Sequence, residues 1–304
     1  MRSKEEWEEF LKRNRGSFLQ SIKWGEFKKN YQKVERLEAR DNGSLVGVCQ
    51  IFKERMPFGN YLYIPRGPVA ETEEVRNKLF LEVAKKGKKE KAAFVKAEPA
   101  RKVSPGKISF RGIQPERTLF VDMEESSEEL MKSFSKSTRY NIRYAERAGV
   151  VIKKSDDVDS FFELLRSTKK RKDFRSYPRN YFKKMMAMPD TELFLAQYKG
   201  EIVAGLILFY FGDTAIFMHS AFDYRHRKIK APALMRFEAM KRALERGCKR
   251  CDFRGIDEKR MPGVTKFKKG FGGREISYPK GKDIPLKRIP YFLYYLGISL
   301  KREK

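Results

Sequence analysis

The chain holds three cysteines and two histidines in 304 residues, and these shortages exclude several kinds of protein. Three cysteines do not make a disulfide framework, so a small disulfide-stapled secreted scaffold is excluded and a reducing cytoplasm fits. Cys248 and Cys251 form a C-x-x-C without a second pair, and His219 and His226 are the only histidines. A structural zinc site takes four such ligands, so no metal is expected. Long hydrophobic runs are missing too. No stretch approaches the roughly 18 apolar residues of a membrane-spanning helix. The nearest, "IPYFLYYLGISL" from Ile289 to Leu300, is too short to cross a bilayer. It would close a core or lie on a membrane surface as a peripheral contact. "MRSKEEWEEFLKRN" lacks an apolar h-region, which argues against secretion and for a cytoplasmic location.

Negative charge is outweighed: 68 Lys and Arg face 40 Asp and Glu, a formal net charge of +28. The basic residues occur throughout, in "KKGKKEK", "KKRKDFR", "RHRKIK" and "FKKG", so this is no neutral domain with a basic tail. Such a chain attracts polyanions at long range. With 40% hydrophobic and 13% aromatic residues it can build large cores, and its length suggests two domains.

The basic residues are ordered most clearly from Ser126 to Gly149. Ser126 and Glu129 have the capping-box form, and Gly149 sits where a C-cap glycine belongs. On a helix between them, Lys132, Lys136, Arg139, Arg143 and Arg147 fall in one row, about 100° from an apolar row through Phe134, Thr138, Ile142 and Ala145. Like charges at that spacing repel. The row therefore calls for an anionic partner.

Along the chain, helices are followed by strands "VERLEARD", "LVGVCQIFKER" and "YLYIPRGPV", then a helix from Thr72 and the strand "AAFVKAEP". An Asn-Gly signal joins the first two strands. The order then repeats: helices, strands "TELFLAQYK", "EIVAGLILFYF" and "TAIFMHSAF", a helix from Ala231, and "CDFRGI". This is an α+β pattern, in the order of an acetyltransferase-like (GNAT-type) fold in tandem. The expected division is 1–125 plus 279–304 for the first domain and 126–278 for the second. Such folds usually cradle coenzyme A on a glycine-rich loop. The corresponding stretch "FDYRHRKIKAPALM" has no glycine, so no cofactor is expected.

These residues resemble, in order, the blocks of the FemX/FemAB (FemABX) family of aminoacyltransferases. "FLQSIKWGEFKKN" is similar to its Gln-x(3)-Trp-x(3)-Lys block and "YLYIPRGPV" to its Gly-Pro strand end. "KSTRYNIRYAERAGV" resembles the basic helix opening its second domain. "YPRNYFKKM", "AGLILFYFGDTAIFMHSA" and "GVTKFKKGFGG" resemble later blocks. The resemblance implies two acetyltransferase-like domains, a precursor-binding first and an aminoacyl-tRNA-binding second. It implies a tRNA-dependent transfer of an amino acid to the stem peptide of a nucleotide- or lipid-linked peptidoglycan precursor, at the inner face of the membrane. It also implies that the cationic row Lys132, Lys136, Arg139, Arg143 and Arg147 follows RNA phosphates.

Catalytic roles implied by the resemblance fall on Phe267 and Lys268, with Lys268 stabilising charge at the ester carbonyl and the departing hydroxyl. Glu98 stands where the family has an acidic residue after the first domain's strand. Lys28, beside Trp24, matches a lysine that binds the precursor's diphosphate. The family's partner arginine is replaced by Tyr177 in "YPRNYF", with Tyr181 retained and Arg175 and Arg179 as compensating cations; His219 is a further substrate-binding candidate. A coenzyme A-dependent N-acyltransferase and a non-enzymatic RNA-binding module are the alternatives left open.

Overall fold

A computed structural model describes residues 4–57, 59–109, 112–124, 126–172 and 177–300. The first part of the chain forms α1 (Lys4–Arg13), α2 (Ile22–Lys28), β1 (Val34–Asp41), β2 (Ser44–Met56), β3 (Gly59–Pro65), β4 (Val69–Ala70), α3 (Glu73–Lys89), β5 (Phe94–Glu98) and β6 (Lys107–Ile108). Next come β7 (Arg117–Asp122), α4 (Ser127–Ser133), α5 (Lys136–Arg147), β8 (Val151–Ser155), α6 (Val158–Lys172), α7 (Arg179–Met186), β9 (Thr191–Tyr198), β10 (Glu201–Phe211) and β11 (Thr214–Phe222). The last elements are α8 (Ala231–Glu245), β12 (Arg250–Gly255), α9 (Pro262–Lys269), β13 (Arg274–Ser277), β14 (Lys282–Pro285) and α10 (Arg288–Leu300).

Two compact units result, one holding the chain up to Glu116 together with Ser277 onward, the other Arg117–Ile276. In the first, the sheet order is β1-β2-β3-β5-β14-β6, with β4 on β2. The β1–β2 hairpin turns at Asn42 and Gly43, both with positive φ (46° and 84°), the geometry that Asn-Gly favours. Helix α3 begins at Thr72, whose side chain accepts the Val75 N–H, and lays Leu79, Phe80 and Val83 on the sheet. In the second, the order is β13-β7-β12-β11-β10-β9-β8. Its core gathers Leu206 and Leu208 of β10 with Met235, Ala239 and Met240 of α8.

Each unit thus takes a three-strand antiparallel meander, a helix, a parallel fourth strand and an antiparallel fifth strand supplied from elsewhere in the chain. The fifth strand is β14 in one unit and β7 in the other. This corrects the expected boundary at Ser126. Arg117–Asp122 pairs with β12 and belongs to the second unit, because its register Arg250↔Asp122 to Asp252↔Phe120 completes that sheet. Short strands β7, β8, β13 and β14 carry little periodicity in sequence, which is why pattern alone does not find them.

The basic segment also differs from expectation. Ser126 does cap α4, accepting the Glu129 N–H, and Gly149 has φ +84°, but the helix breaks at Phe134. Phe134 is extended, and Ser135 starts α5 by accepting the Thr138 N–H. The break lets Phe134 leave the helix direction and pack edge-on against Phe237 and Phe271. Lys132 therefore belongs to a different helix from the other four cations.

Candidate active site

The second unit's sheet opens between its third and fourth strands. Strands β11 and β12 pair in parallel only from Thr214↔Arg250 to Ile216↔Asp252, while β11 runs on to Phe222 along β10. Side chains of α8 and α9 enter there. On α8 the buried stripe Ala233, Phe237, Met240 includes Arg236, only 6% exposed. Its guanidinium lies among the rings of Phe267, Phe217 and Phe253, at 4.9, 5.7 and 5.8 Å, and its Nε has no hydrogen-bond partner. Burial pulls its pKa down to about 10.

Helix α9 is fixed at its start by Thr265, whose hydroxyl donates to Asp257 O and accepts the Asp257 N–H, both at 3.0 Å. Phe267 and Lys268 follow. Lys268 is 9% exposed and its ammonium donates to Gly255 O at 2.7 Å. Burial, and then the Arg236 charge, lower its pKa to about 8, against an opposing pull from Asp252. Asp252 in turn accepts the Thr118 hydroxyl (2.6 Å) and the Arg254 N–H (2.7 Å). Among the described residues no carboxylate lies within ion-pair distance of Lys268 or Arg236. Two nearly buried cations without ionic partners are expensive to keep, and such perturbed groups mark functional sites. Lys266 and Lys269 face solvent, and Lys269 pairs with Glu258 and Glu275. The three lysines of "KFKKGF" are thus a helix with one buried member, not a basic loop.

A cavity of about 420 Å³ opens beside them, walled by Phe222, Tyr224, Met235, Val264 and Phe267, with Arg236 and Ser220 as polar lining. Between β11 and α8 the chain makes a 3-10 turn, Tyr224–Ile229, whose cap Asp223 binds Arg225. It then passes through Lys230 at φ +59° to Pro232 in the first turn of α8. Cationic side chains stand where a glycine loop would present bare N–H groups.

His219 points into an aromatic group, with Phe182, Tyr181 and Tyr177 ring centroids at 5.2, 6.1 and 6.2 Å. Burial, then the Arg254 charge, lower its pKa to about 4, so the ring is neutral at pH 7. Tyr177 stacks on Tyr181 at 3.8 Å and 8°. Arg179 bonds Asp159 at 3.1 Å. Arg175 lies outside the described residues.

On α5, Lys136, Arg143 and Arg147 are exposed and have no ion-pair partner among the described residues. Tyr140 and Tyr144 stand on the same face, 58% and 37% exposed and stacked at 6.1 Å. Arg139 is different: it donates to Lys132 O and Phe134 O, and so caps the carboxyl end of α4. Part of its charge is spent on structure.

In the first unit, the Gln20-Trp24-Lys28 block is mainly a clamp. Gln20 is fully buried, donating to Pro65 O (2.8 Å) and Gln50 O (3.2 Å) and accepting the Gln50 N–H (2.7 Å). Trp24 is buried against Phe18 and Phe27. Ser21 caps α2 by accepting the Trp24 N–H. Lys28 ends α2 half-buried, its pKa lowered by burial and opposed by the charge of Glu54. Glu54 lines a cavity of about 540 Å³ with Lys53, Arg55 and Tyr31. Glu98 ends β5 nearly buried, where its carboxylate accepts from the Tyr63 hydroxyl and from the N–H groups of Ile113 and Gln114. It lines a second cavity of about 340 Å³ with Arg66, Ser109 and Lys280.

Sequence reasoning missed Arg236 and Asp252. The signal for Arg236 was present, as an arginine within the apolar period of "APALMRFEAM". Asp252, in a strand already assigned to the core, offered none. Missed too was the buried pair Lys96 and Asp283 at 3.3 Å, which joins β5 to β14.

The fold of this chain is a tandem acetyltransferase-type (GNAT-like) arrangement of two units, with a cationic cluster in the second. Residues 132–269 match the family model described as an acetyltransferase (GNAT) domain. A tandem GNAT protein from the clavulanic acid biosynthesis pathway superposes with a TM-score of 0.57 at 10% identity, over 93% of this chain and 94% of that one. More specifically, residues 3–109 match the model described as the FemAB family. It resembles the crystal structure of FemX with a TM-score of 0.83 at 21% identity, over 96% of this chain and 98% of that one. It is 28% identical to the lipid II:glycine glycyltransferase of Staphylococcus aureus (strain MRSA252) over 224 residues, 64% of this chain and 53% of the relative. The S. aureus strain NCTC 8325 protein of that name gives 28% over 212 residues, 60% of this chain and 50% of the relative. The chain spans about half the length of the curated relatives it matches.

Proposed function

We propose that this chain is an aminoacyltransferase that moves an aminoacyl group from aminoacyl-tRNA to a stem-peptide amine of a lipid-linked peptidoglycan precursor. The observation that carries this reading is Lys268, a nearly buried ammonium that follows Phe267, whose ring lines a cavity of about 420 Å³ together with Arg236. The amine attacks the ester carbonyl, a C–N bond forms, the C–O bond to the terminal ribose breaks, and the amine's proton ends on the ribose hydroxyl. Lys268 supplies positive charge where the carbonyl oxygen becomes anionic, in a site poor in water. Arg236 adds field from beneath the cavity. The exposed cations of α5 neutralise RNA phosphates.

The lipid-linked acceptor is supported by the relatives' name and by Tyr177, which stands where the family carries a diphosphate-binding arginine. Lys28 then contacts the acceptor's phosphates alone. Glu98, already holding three donors, shapes the wall of its cavity and positions the acceptor.

The test is incubation with a mixed pool of charged tRNAs and either a lipid-linked or a nucleotide-linked muropeptide, read by mass spectrometry. The expected product is the lipid-linked muropeptide heavier by one aminoacyl residue, formed only while the tRNA is charged. Acetyl transfer from acetyl-coenzyme A without tRNA would replace this reading with the N-acyltransferase. RNA binding without any transfer would leave a binding module.

A further inference from the structure

Helix α10 is amphipathic in the wrong sense for a water-facing helix. Its inner face carries its polar atoms: Tyr291 and Tyr295 donate their hydroxyls to buried Asp283, and Lys96 donates to the Tyr295 hydroxyl at 3.0 Å. Tyr294 and Tyr291 also pack on Phe94, with Tyr294 reaching Tyr61. The helix is therefore docked firmly on the first unit. Its outer face shows Ile289, Phe292 and Leu296, 73%, 65% and 43% exposed, at the spacing of one helical ridge. In a chain that is 36% charged, Ile289 to Leu300 contains no charged residue. Cations flank the ridge instead, with exposed Lys287 and Arg288 before it and "KREK" following it in sequence.

We infer that the outer ridge of α10 is a docking surface for an anionic lipid bilayer, on which the helix lies in the interface. Three large apolar side chains would enter the headgroup boundary while the flanking lysines and arginines meet lipid phosphates, the pattern of interfacial helices. Among the described residues no helix is long and apolar enough to cross a membrane, so the contact lies along the surface. The charge of the flanks favours anionic lipid over a second copy of a chain with net charge +28. The inference deepens the proposed function, on which it rests for its purpose: a lipid-linked acceptor is met where the bilayer holds it.

The experiment uses the full chain and vesicles of phosphatidylglycerol with phosphatidylcholine, or phosphatidylcholine alone. The chain should sediment with the anionic vesicles and much less with the neutral ones. Phe292→Ser with Leu296→Ser should weaken that partition at least about tenfold. Lys287→Glu with Arg288→Glu should weaken it by about fivefold per charge removed. A Phe292→Trp reporter should shift to shorter emission wavelength on vesicle addition and be quenched by brominated acyl chains. Circular dichroism confirms that each variant is folded. Unchanged partition of the serine variant, or a reporter blind to vesicles, overturns the inference. A reporter already at short wavelength without lipid, relaxing on dilution, would assign the face to a second copy. Transfer to a soluble muropeptide should survive the serine substitutions while transfer to a vesicle-embedded one falls. Loss of all transfer in the parent chain, with vesicle binding intact, would sink the proposed function and leave the docking surface standing.

Discussion

The two units share a strand order and differ in how their third and fourth strands part. In the first, β3 and β5 stay paired from Leu62↔Val95 to Pro65↔Glu98, the last residue of both strands. Glu98 arrives at a closed sheet end, and donors from Tyr63 and the 113–114 backbone saturate it. In the second, β11 and β12 pair over three residues and separate, and the gap admits Arg236 and Lys268. A closed end gives a satisfied carboxylate. An open end gives unpaired cations beside a cavity. One scaffold thus carries opposite electrostatics, because the loops and the helix that follow decide what enters the gap.

The sharpest break of this contrast is Lys268→Met. Transfer should fall about 10²- to 10³-fold, the usual cost of a missing transition-state donor. Folding should not suffer. The Lys268 pKa is about 8 in the folded chain against the ordinary 10.5, so its burial opposes folding below pH 8. The unfolded chain keeps its proton longer, and stability therefore rises as pH rises from about 8 to about 10. Calorimetry should find that rise in the parent and not in Lys268→Met. The parent's transfer rate should likewise turn down above pH 8, as the charge is lost. Lys269→Met, at a solvent-facing ion pair, should change transfer little. Equal loss in both variants, recovered at higher tRNA concentration, would make α9 a phosphate contact.

The carboxylate end is tested next. Glu98→Ala leaves three donors without their acceptor and should cost about 2–3 kcal/mol in denaturant unfolding. Glu98→Gln keeps an acceptor and should cost less while retaining most of the transfer rate. A loss of about 10²-fold in Glu98→Gln, with stability intact, would make the residue a proton acceptor and end its assignment as a positioning group.

A smaller effect concerns the proposed RNA face of the second unit. Arg143→Glu with Arg147→Glu should weaken tRNA binding about tenfold near physiological salt and flatten its salt dependence, with melting temperature unchanged. Arg139→Glu should lower melting temperature as well, because its guanidinium caps α4. Identical salt slopes in all variants would reduce the row to a solvated face. The smallest effect is expected at His219, whose pKa is about 4 in place of 6.5. Stability should be full above pH 6.5 and decline as pH falls toward 4. His219→Phe should remove that share of the acid sensitivity.

Much of this was legible before any coordinates. The meanders, the α3 and α8 helices and the Asn-Gly hairpin follow from periodicity and turn chemistry, which act within a few residues. Phe267 and Lys268 were singled out through resemblance. Pattern did not show that the "KFKKGF" lysines separate into one buried and two exposed, since that depends on which side of α9 meets the sheet. The break at Phe134 was hidden because "SFSKST" continues a helical spacing, and only the ring's packing against Phe237 and Phe271 ends it.

Sequence by itself determined most of the local elements, the cationic surplus and the uncharged run of α10, since each depends on side-chain type at short range. Tertiary structure decided which strand lies beside the fourth in each sheet, with β7 and β14 crossing long stretches of chain to do so. It also decided where the third and fourth strands part, and therefore which charged groups lose their water. Desolvation depends on neighbours far away in sequence, so the burial of Lys268 and Arg236 was set only when the sheet, α8 and α9 came together.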